Sequence, residues 1–179
     1  MNATKDTCSK KIYSTLPRLN EIFEESGFDM DDKYFMGLAL DEARRAYSEG
    51  EVPIGAVCVE DGVLICGEHN RIEQLGDATA HAEILTLRRA SQKLGRRRLC
   101  DCTLYSTVEP CAMCAGALVL CRVKRLVYGV TDSKFGAAES IFNVVNNPAL
   151  NHQLSVTAGV LEDECRALMK NFFADTRSR

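Results

Sequence analysis

Two short fragments of this chain only make chemical sense together: His81-Ala82-Glu83, and Pro110 followed by Cys111-Ala112-Met113-Cys114. One imidazole and two thiols three positions apart form a metal-ligand set. Each fragment opens a helix. From His81 to Leu94 the apolar spacing is helical and Gly95 closes the run; Cys111–Leu120 is a small-residue apolar helix entered through Pro110, where a missing amide costs little. Between them Thr103–Thr107 reads as a strand with Leu104 and Tyr105 at its middle. The chain must therefore fold so that two helix starts, separated by a strand, face one another.

The remaining segments supply a frame for that meeting. Residues 32–48 predict a helix on the stripe Tyr34, Phe35, Leu38, Ala39, Ala43 and Ala46, stopped by Gly50. Val52–Glu60 and Val63–Gly67 predict two strands around the hairpin turn Asp61-Gly62. Asn70–Thr79 is a polar loop, Arg125–Val130 a strand, and 132–147 a loop with a short helical turn. Ser155–Val160 predicts a last strand and Leu161–Phe173 a last helix. The order α-β-β-α-β-α-β-loop-β-α predicts a three-layer α/β domain, the hairpin antiparallel and the helix-linked strands parallel. Residues 12–25 carry Ile12, Leu16, Leu19, Ile22 and Phe23 at helical spacing, so 1–32 reads as a partly helical extension ahead of a domain over 33–179.

Composition narrows the setting. At 179 residues one domain with an extension is expected. No apolar run approaches about 20 residues, and the N-terminal stretch lacks the apolar core of an export signal, so the expectation is a cytoplasmic protein away from membranes. Nine cysteines, an odd number without an export signal, read as reduced thiols, with Cys8, Cys58, Cys66, Cys100, Cys121 and Cys165 acting as small hydrophobes. The net charge of −3 resides in residues 1–32, which hold four basic and seven acidic side chains. The neutral body still carries basic clusters at Arg88–Arg98 and at Arg122, Lys124 and Arg125, which suit either phosphate or a solvated helix end.

The chemistry follows from the ligand count. His81, Cys111 and Cys114 are three protein ligands, and an open fourth position separates a catalytic zinc from a structural one. Helix-start dipoles and the metal both favour thiolates, so the site is neutral and a zinc-bound water can ionise near pH 7. Glu83, two residues past His81, does not share its direction and is free to shuttle protons between that water, a ring nitrogen and a leaving amine. A closed site with Cys102 or Cys121 as fourth ligand competes with this reading, but it has no use for Glu83. A redox Cys-x-x-Cys lacks its usual context. Pro53-Ile54-Gly55-Ala56 opens the first strand with small residues, where Ala56 would let a flat base approach the backbone; a plain strand start is the alternative. Asn70 suits a ribose or base contact, or a turn.

The pattern H-x-E … P-C-x-x-C is the signature of zinc-dependent nucleobase deaminases. The chain resembles the cytidine and deoxycytidylate deaminase superfamily, and within it the bacterial tRNA-specific adenosine deaminases, the TadA family. The resemblance runs over about 33–175: Glu51-Val52-Pro53-Ile54-Gly55-Ala56-Val57, Asn70-Arg71, Ala78-Thr79-Ala80-His81-Ala82-Glu83, Glu109-Pro110-Cys111, Asp132-Ser133-Lys134-Phe135-Gly136-Ala137-Ala138, Asn151-His152 and Phe172-Phe173. It implies a cytidine-deaminase-like fold with a five-stranded mixed sheet between helices, and a homodimer. It implies conversion of adenosine to inosine at the wobble position of a tRNA anticodon, with one zinc per subunit on His81, Cys111 and Cys114 and Glu83 as proton shuttle. It places Asn70 in the nucleoside pocket and gives contacts to the RNA loop from Asp132, Lys134 and Phe172. The extension has no counterpart in the short form of the family. Ala78 stands where proline is common, Phe135 where a small hydroxyl residue is frequent, and Glu139 where glycine is. The alternatives are a free nucleobase or nucleotide deaminase acting on cytosine or guanine, and a non-catalytic zinc-stabilised partner subunit, against which Glu83 speaks.

Overall fold

A computed structural model describes residues 32–177. The helix expected at 12–25 lies outside them. A five-stranded sheet in the order β2-β1-β3-β4-β5 forms the middle layer. Its strands are β1 (Gly55–Glu60), β2 (Val63–His69), β3 (Cys102–Val108), β4 (Arg125–Val130) and β5 (Ser155–Thr157). The helices are α1 (Asp32–Ser48), a single turn α2 (Ile72–Leu75), α3 (Ala82–Leu94), α4 (Ala112–Leu120) and α5 (Glu162–Arg177).

Strand alternation divides the core into two layers. On β1, Val57 and Val59 join Phe35, Met36 and Leu40 of α1, while Cys58 joins Leu87 of α3 and Leu118 of α4. Tyr105 and Leu104 on β3, and Val127 and Leu126 on β4, split the same way. The hairpin turn carries positive φ at both central residues, Asp61 (50°) and Gly62 (75°), as a two-residue turn of the primed type requires. β1 is antiparallel to both neighbours, and β3, β4 and β5 are mutually parallel. β2 and β3, linked through α3, thus run in one direction with β1 lying between them.

Sequence expectations change at several points: β2 runs on to His69, and α2 stands within the loop expected over Asn70–Thr79. β1 begins at Gly55 and not at Val52, because Pro53 has no amide for the ladder and the Ile54 amide turns back to Val52 (2.7 Å). β5 stops at Thr157, where Gly159 (φ 81°) and Leu161 (φ 51°) turn the chain toward α5. The helical turn expected in 132–147 is a single one, closed by the Gly136 amide on the Asp132 carbonyl (2.9 Å), and it goes no further because the next amides are taken by Pro110 and Glu109.

The topology places the site. The C-terminal ends of β2, β3 and β4 and the start of the reversed β1 lie at one end of the sheet, where Gly55 pairs with His69, Ala56 with Ser106, and Val108 with Val130. Asn70, Cys111 and Asp132 follow those strand ends directly.

Candidate active site

The two helix starts meet. The Nδ1 of His81 lies 3.8 Å from the Cys111 Sγ and 3.6 Å from the Cys114 Sγ, and the three ligand atoms lie within 4.8 Å of one another. A tetrahedral zinc, with about 2.3 Å to sulfur and about 2.0–2.1 Å to nitrogen, separates such a nitrogen–sulfur pair by about 3.6 Å. The donor set and its spacing fit zinc. Sequence spacing could not say which ring nitrogen faces the sulfurs; the fold selects Nδ1.

Both helices are entered the same way. His81 (φ −72°, ψ 149°) and Cys111 (φ −70°, ψ 173°) are the extended N-cap residues of α3 and α4, and neither caps its helix with its own side chain. Their side chains are left for a metal while the helix dipoles point at the cluster. Cys114, one turn into α4, is fully buried. The cap that His81 does not provide comes from Asn70, whose Oδ1 accepts the Ala82 amide at 2.9 Å.

Electrostatics follow the geometry. The Cys114 thiol beside it, and then His81, pull the Cys111 thiol down to about 3 against the opposing effect of burial, while the Cys114 thiol is pushed up by its hydrogen bond to Cys111 and by burial. The pair holds one negative charge readily. His81 is raised, first by its hydrogen bond to Cys111. Glu83 is 3% exposed, and its carboxyl is raised by burial, with nearby His81 opposing. Its Oε2 has no hydrogen-bond partner. A buried carboxyl oxygen without a partner is costly unless something else meets it, and it sits beside Cys114.

The other residues expected at the site fall out as follows. Asn70 is buried next to the cluster. Ala56 is buried on the α3 side of β1, its carbonyl accepting the Thr86 hydroxyl at 3.1 Å. The small size of Gly55 serves the other face: a Cβ there would stand 2.1 Å from the Ala39 carbonyl oxygen, so glycine admits α1 and not a base. Asp132 lies at the end of β4, and its Oδ1 accepts the amides of Lys134 (2.8 Å) and Phe135 (3.2 Å) in a local turn. Lys134 and Phe135 are exposed. Phe172 packs its ring on Tyr47 of α1 (5.4 Å, edge to face), and the more exposed ring of the pair is Phe173. The charge added by Glu139 is tied to the Tyr128 hydroxyl, which donates to it at 2.7 Å. All eight cysteines among the described residues are free thiols. No described helix is long and apolar enough to cross a membrane.

Glu109 was not among the residues the sequence singled out for a role. Burial pushes its carboxyl up, but hydrogen bonds from Ser140, Glu139 and Asp132 outweigh this and hold it below the usual range. The available signal was a carboxylate between the apolar Val108 and Pro110, two positions before Cys111.

A five-stranded mixed sheet between two helix layers, with a His-Cys-Cys cluster at two helix starts and a buried glutamate beside it, defines a deaminase of the cytidine-deaminase class. The MafB19-like deaminase family matches residues 30–177. A protein of Aquifex aeolicus named tRNA-specific adenosine deaminase is 42% identical over 149 residues, 83% of this chain and 98% of that one. One of the same name from Bacillus subtilis is 44% identical over 148 residues, covering 83% and 92%. A solved structure from work on A-to-I editing by tRNA:A34 deaminases superposes with a TM-score of 0.73 at 47% identity, over 75% of this chain and 98% of that one. The guanine deaminase of Nitrosomonas europaea reaches the same TM-score at 26% identity, over 92% and 97%. The chain belongs to the MafB19-like deaminase family and to the tRNA-specific adenosine deaminases.

Proposed function

We propose that this protein hydrolytically converts adenosine to inosine at the wobble position of a tRNA anticodon. The observation that carries the chemistry is the buried, unpartnered Glu83 carboxyl oxygen beside the His81, Cys111 and Cys114 ligand set. The substrate rests on relatives at 42% and 44% identity along most of their length.

His81, Cys111 and Cys114 would hold one zinc per subunit. When bound there, zinc acts as a Lewis acid and lowers the pKa of a water in its remaining position. Glu83 takes a proton from the attacking water and delivers it to the ring nitrogen next to the amino-bearing carbon. Glu83 then takes the remaining proton of the attacking oxygen and passes it to the amine as the carbon–nitrogen bond breaks, so that the oxygen stays as the ring carbonyl and inosine and ammonia result. Its raised affinity for protons, a consequence of burial, suits it to both transfers. Asn70 spends its carbonyl on Ala82 and keeps its amide nitrogen for the nucleoside. Ala56 floors the pocket, and Asp132, Lys134 and Phe172 contact the RNA loop, whose unpaired bases splay out at modest cost.

A second copy of the chain is the proposed partner. Ala112, Met113, Gly116, Ala117 and Leu120 form an exposed to half-buried apolar stripe on α4, with Leu120 82% exposed. A tRNA substrate places the protein in the cytoplasm.

Mass spectrometry of tRNA incubated with the zinc-loaded protein tests the function: inosine at position 34 is expected, and its absence sinks the proposal. Ammonia release from guanine or cytosine without tRNA would favour the free-base alternative, whose fold this chain shares with the guanine deaminase.

A further inference from the structure

Glu109 takes no part in the chemistry above, yet it is 2% exposed and collects five hydrogen bonds from one segment of chain. Its Oε1 accepts the amides of Ala138 (3.1 Å), Glu139 (2.8 Å) and Ser140 (2.9 Å). Its Oε2 accepts the amide of Asp132 (3.0 Å) and the hydroxyl of Ser140. An ionised carboxylate offers about four lone-pair sites, so this one is saturated. The stretch from Asp132 to Ser140 is wound around an anion that belongs to the turn before Cys111.

Backbone contacts run alongside. The Ala137 amide donates to the Pro110 carbonyl at 2.8 Å, and Gly136 bridges to Cys111 itself. Gly136 has no space for a side chain: a Cβ would stand 2.4 Å from the Glu109 Oε2. The segment therefore lacks the freedom of an ordinary surface loop, although Ser133, Lys134 and Phe135 in its middle are exposed.

We propose that Glu109 is a positioning residue that fixes the place of Asp132 and Lys134 relative to the metal-ligand turn, and so sets how an RNA loop registers on the site. This rests on the reading of Asp132 and Lys134 as RNA contacts. Charge-assisted bonds to backbone amides are stronger than neutral ones, and here they act at both ends of the segment. Replacement by glutamine makes the asymmetry testable. A glutamine oxygen in place of Oε1 still accepts three amides, but its NH2 then faces the Asp132 amide, donor against donor, while the Ser140 hydroxyl can turn to accept from it. The Asp132 end is released while the Ser140 end holds.

The experiment compares the zinc-loaded wild-type protein with Glu109→Gln, Ser140→Ala and Gly136→Ala. Amide hydrogen exchange, which needs no substrate, should show Asp132 exchanging at least about tenfold faster in Glu109→Gln. The α4 amides and the zinc content per chain should be unchanged. With an anticodon stem-loop as substrate, KM should rise about tenfold while kcat changes by less than about threefold, the signature of lost substrate placement. Gly136→Ala, which crowds the same carboxylate, should show the same split. Unchanged exchange at Asp132, a fall in kcat at constant KM, or loss of zinc together with activity would each overturn the proposal. Should Glu109→Gln not fold, Ser140→Ala, which removes one donor, must give the same split at smaller size. If the wild-type protein makes no inosine, the substrate reading fails, and the exchange comparison still decides whether Glu109 holds the segment.

Discussion

The side-chain carbonyl of Asn70 accepts the backbone amide of Ala82 at 2.9 Å, across the gap between the end of β2 and the start of α3. A residue at one strand end thereby caps the helix on which His81 stands. Asn70→Ala should leave a buried amide unsatisfied and lower stability by about 1–3 kcal/mol. Asn70→Asp keeps the acceptor at a helix N-terminus, where negative charge is welcome, but loses the donor proposed for the nucleoside. It should hold stability near wild type and still lose activity. Urea titrations alongside kcat/KM separate the two effects; equal destabilisation by both variants would rule the capping account out.

Glu83→Gln should lower kcat by roughly 10²–10⁴-fold, the usual share of general acid–base catalysis, with zinc retained. It should not destabilise the protein, because it replaces a buried carboxyl whose Oε2 has no partner. Rate and metal content measured on one preparation check this, and a variant that loses zinc would make Glu83 a ligand instead of a shuttle.

Gly55→Ala should cost at least about 1–3 kcal/mol, the scale of overpacking, because the added methyl meets the Ala39 carbonyl oxygen at 2.1 Å and the Ala43 nitrogen at 2.4 Å. Thermal denaturation reads it. Unchanged stability with a raised KM would return Gly55 to the substrate pocket.

Arg125 donates two hydrogen bonds to Asp32 (2.8 and 2.7 Å), and these hold the Asp32 carboxyl below its ordinary value against the cost of burial. A depressed carboxyl stabilises the fold above its unfolded pKa, about 3.9 for aspartate, and that contribution is lost as pH falls through the lower folded value. Stability of the wild-type protein should therefore decline from about pH 4 downward. Asp32→Asn should be less stable at neutral pH and show a shallower decline over that acid window. Parallel slopes would show that the pair contributes nothing measurable.

What could be seen along the chain was local. His81, Glu83, Cys111 and Cys114 announce themselves because ligand spacing on a helix start is a matter of a few consecutive residues. Helix ends at Gly95 and the Asp61-Gly62 turn are equally short-range, and both stand as expected. Glu109 was invisible as a hub because its five donors lie 23 to 31 positions away, and Gly55 looked like room for a base because the helix that fills its missing Cβ comes from another part of the chain. The helical turn expected in 132–147 ends after one turn for the same reason: a distant carboxylate takes the amides a longer helix would need.

The chain's residue types and spacings alone pointed to the deaminase reaction class and to His81, Cys111 and Cys114 as a group able to hold a metal, since metal affinity and proton transfer depend on which groups stand within a turn of each other. The tertiary structure decided which imidazole nitrogen faces the sulfurs, which oxygen of Glu83 is left without a partner, and which carboxylate carries the 132–140 segment. Those outcomes depend on four strand ends arriving at one end of the sheet. Only there do burial and long-range hydrogen bonds act on groups that the sequence keeps apart.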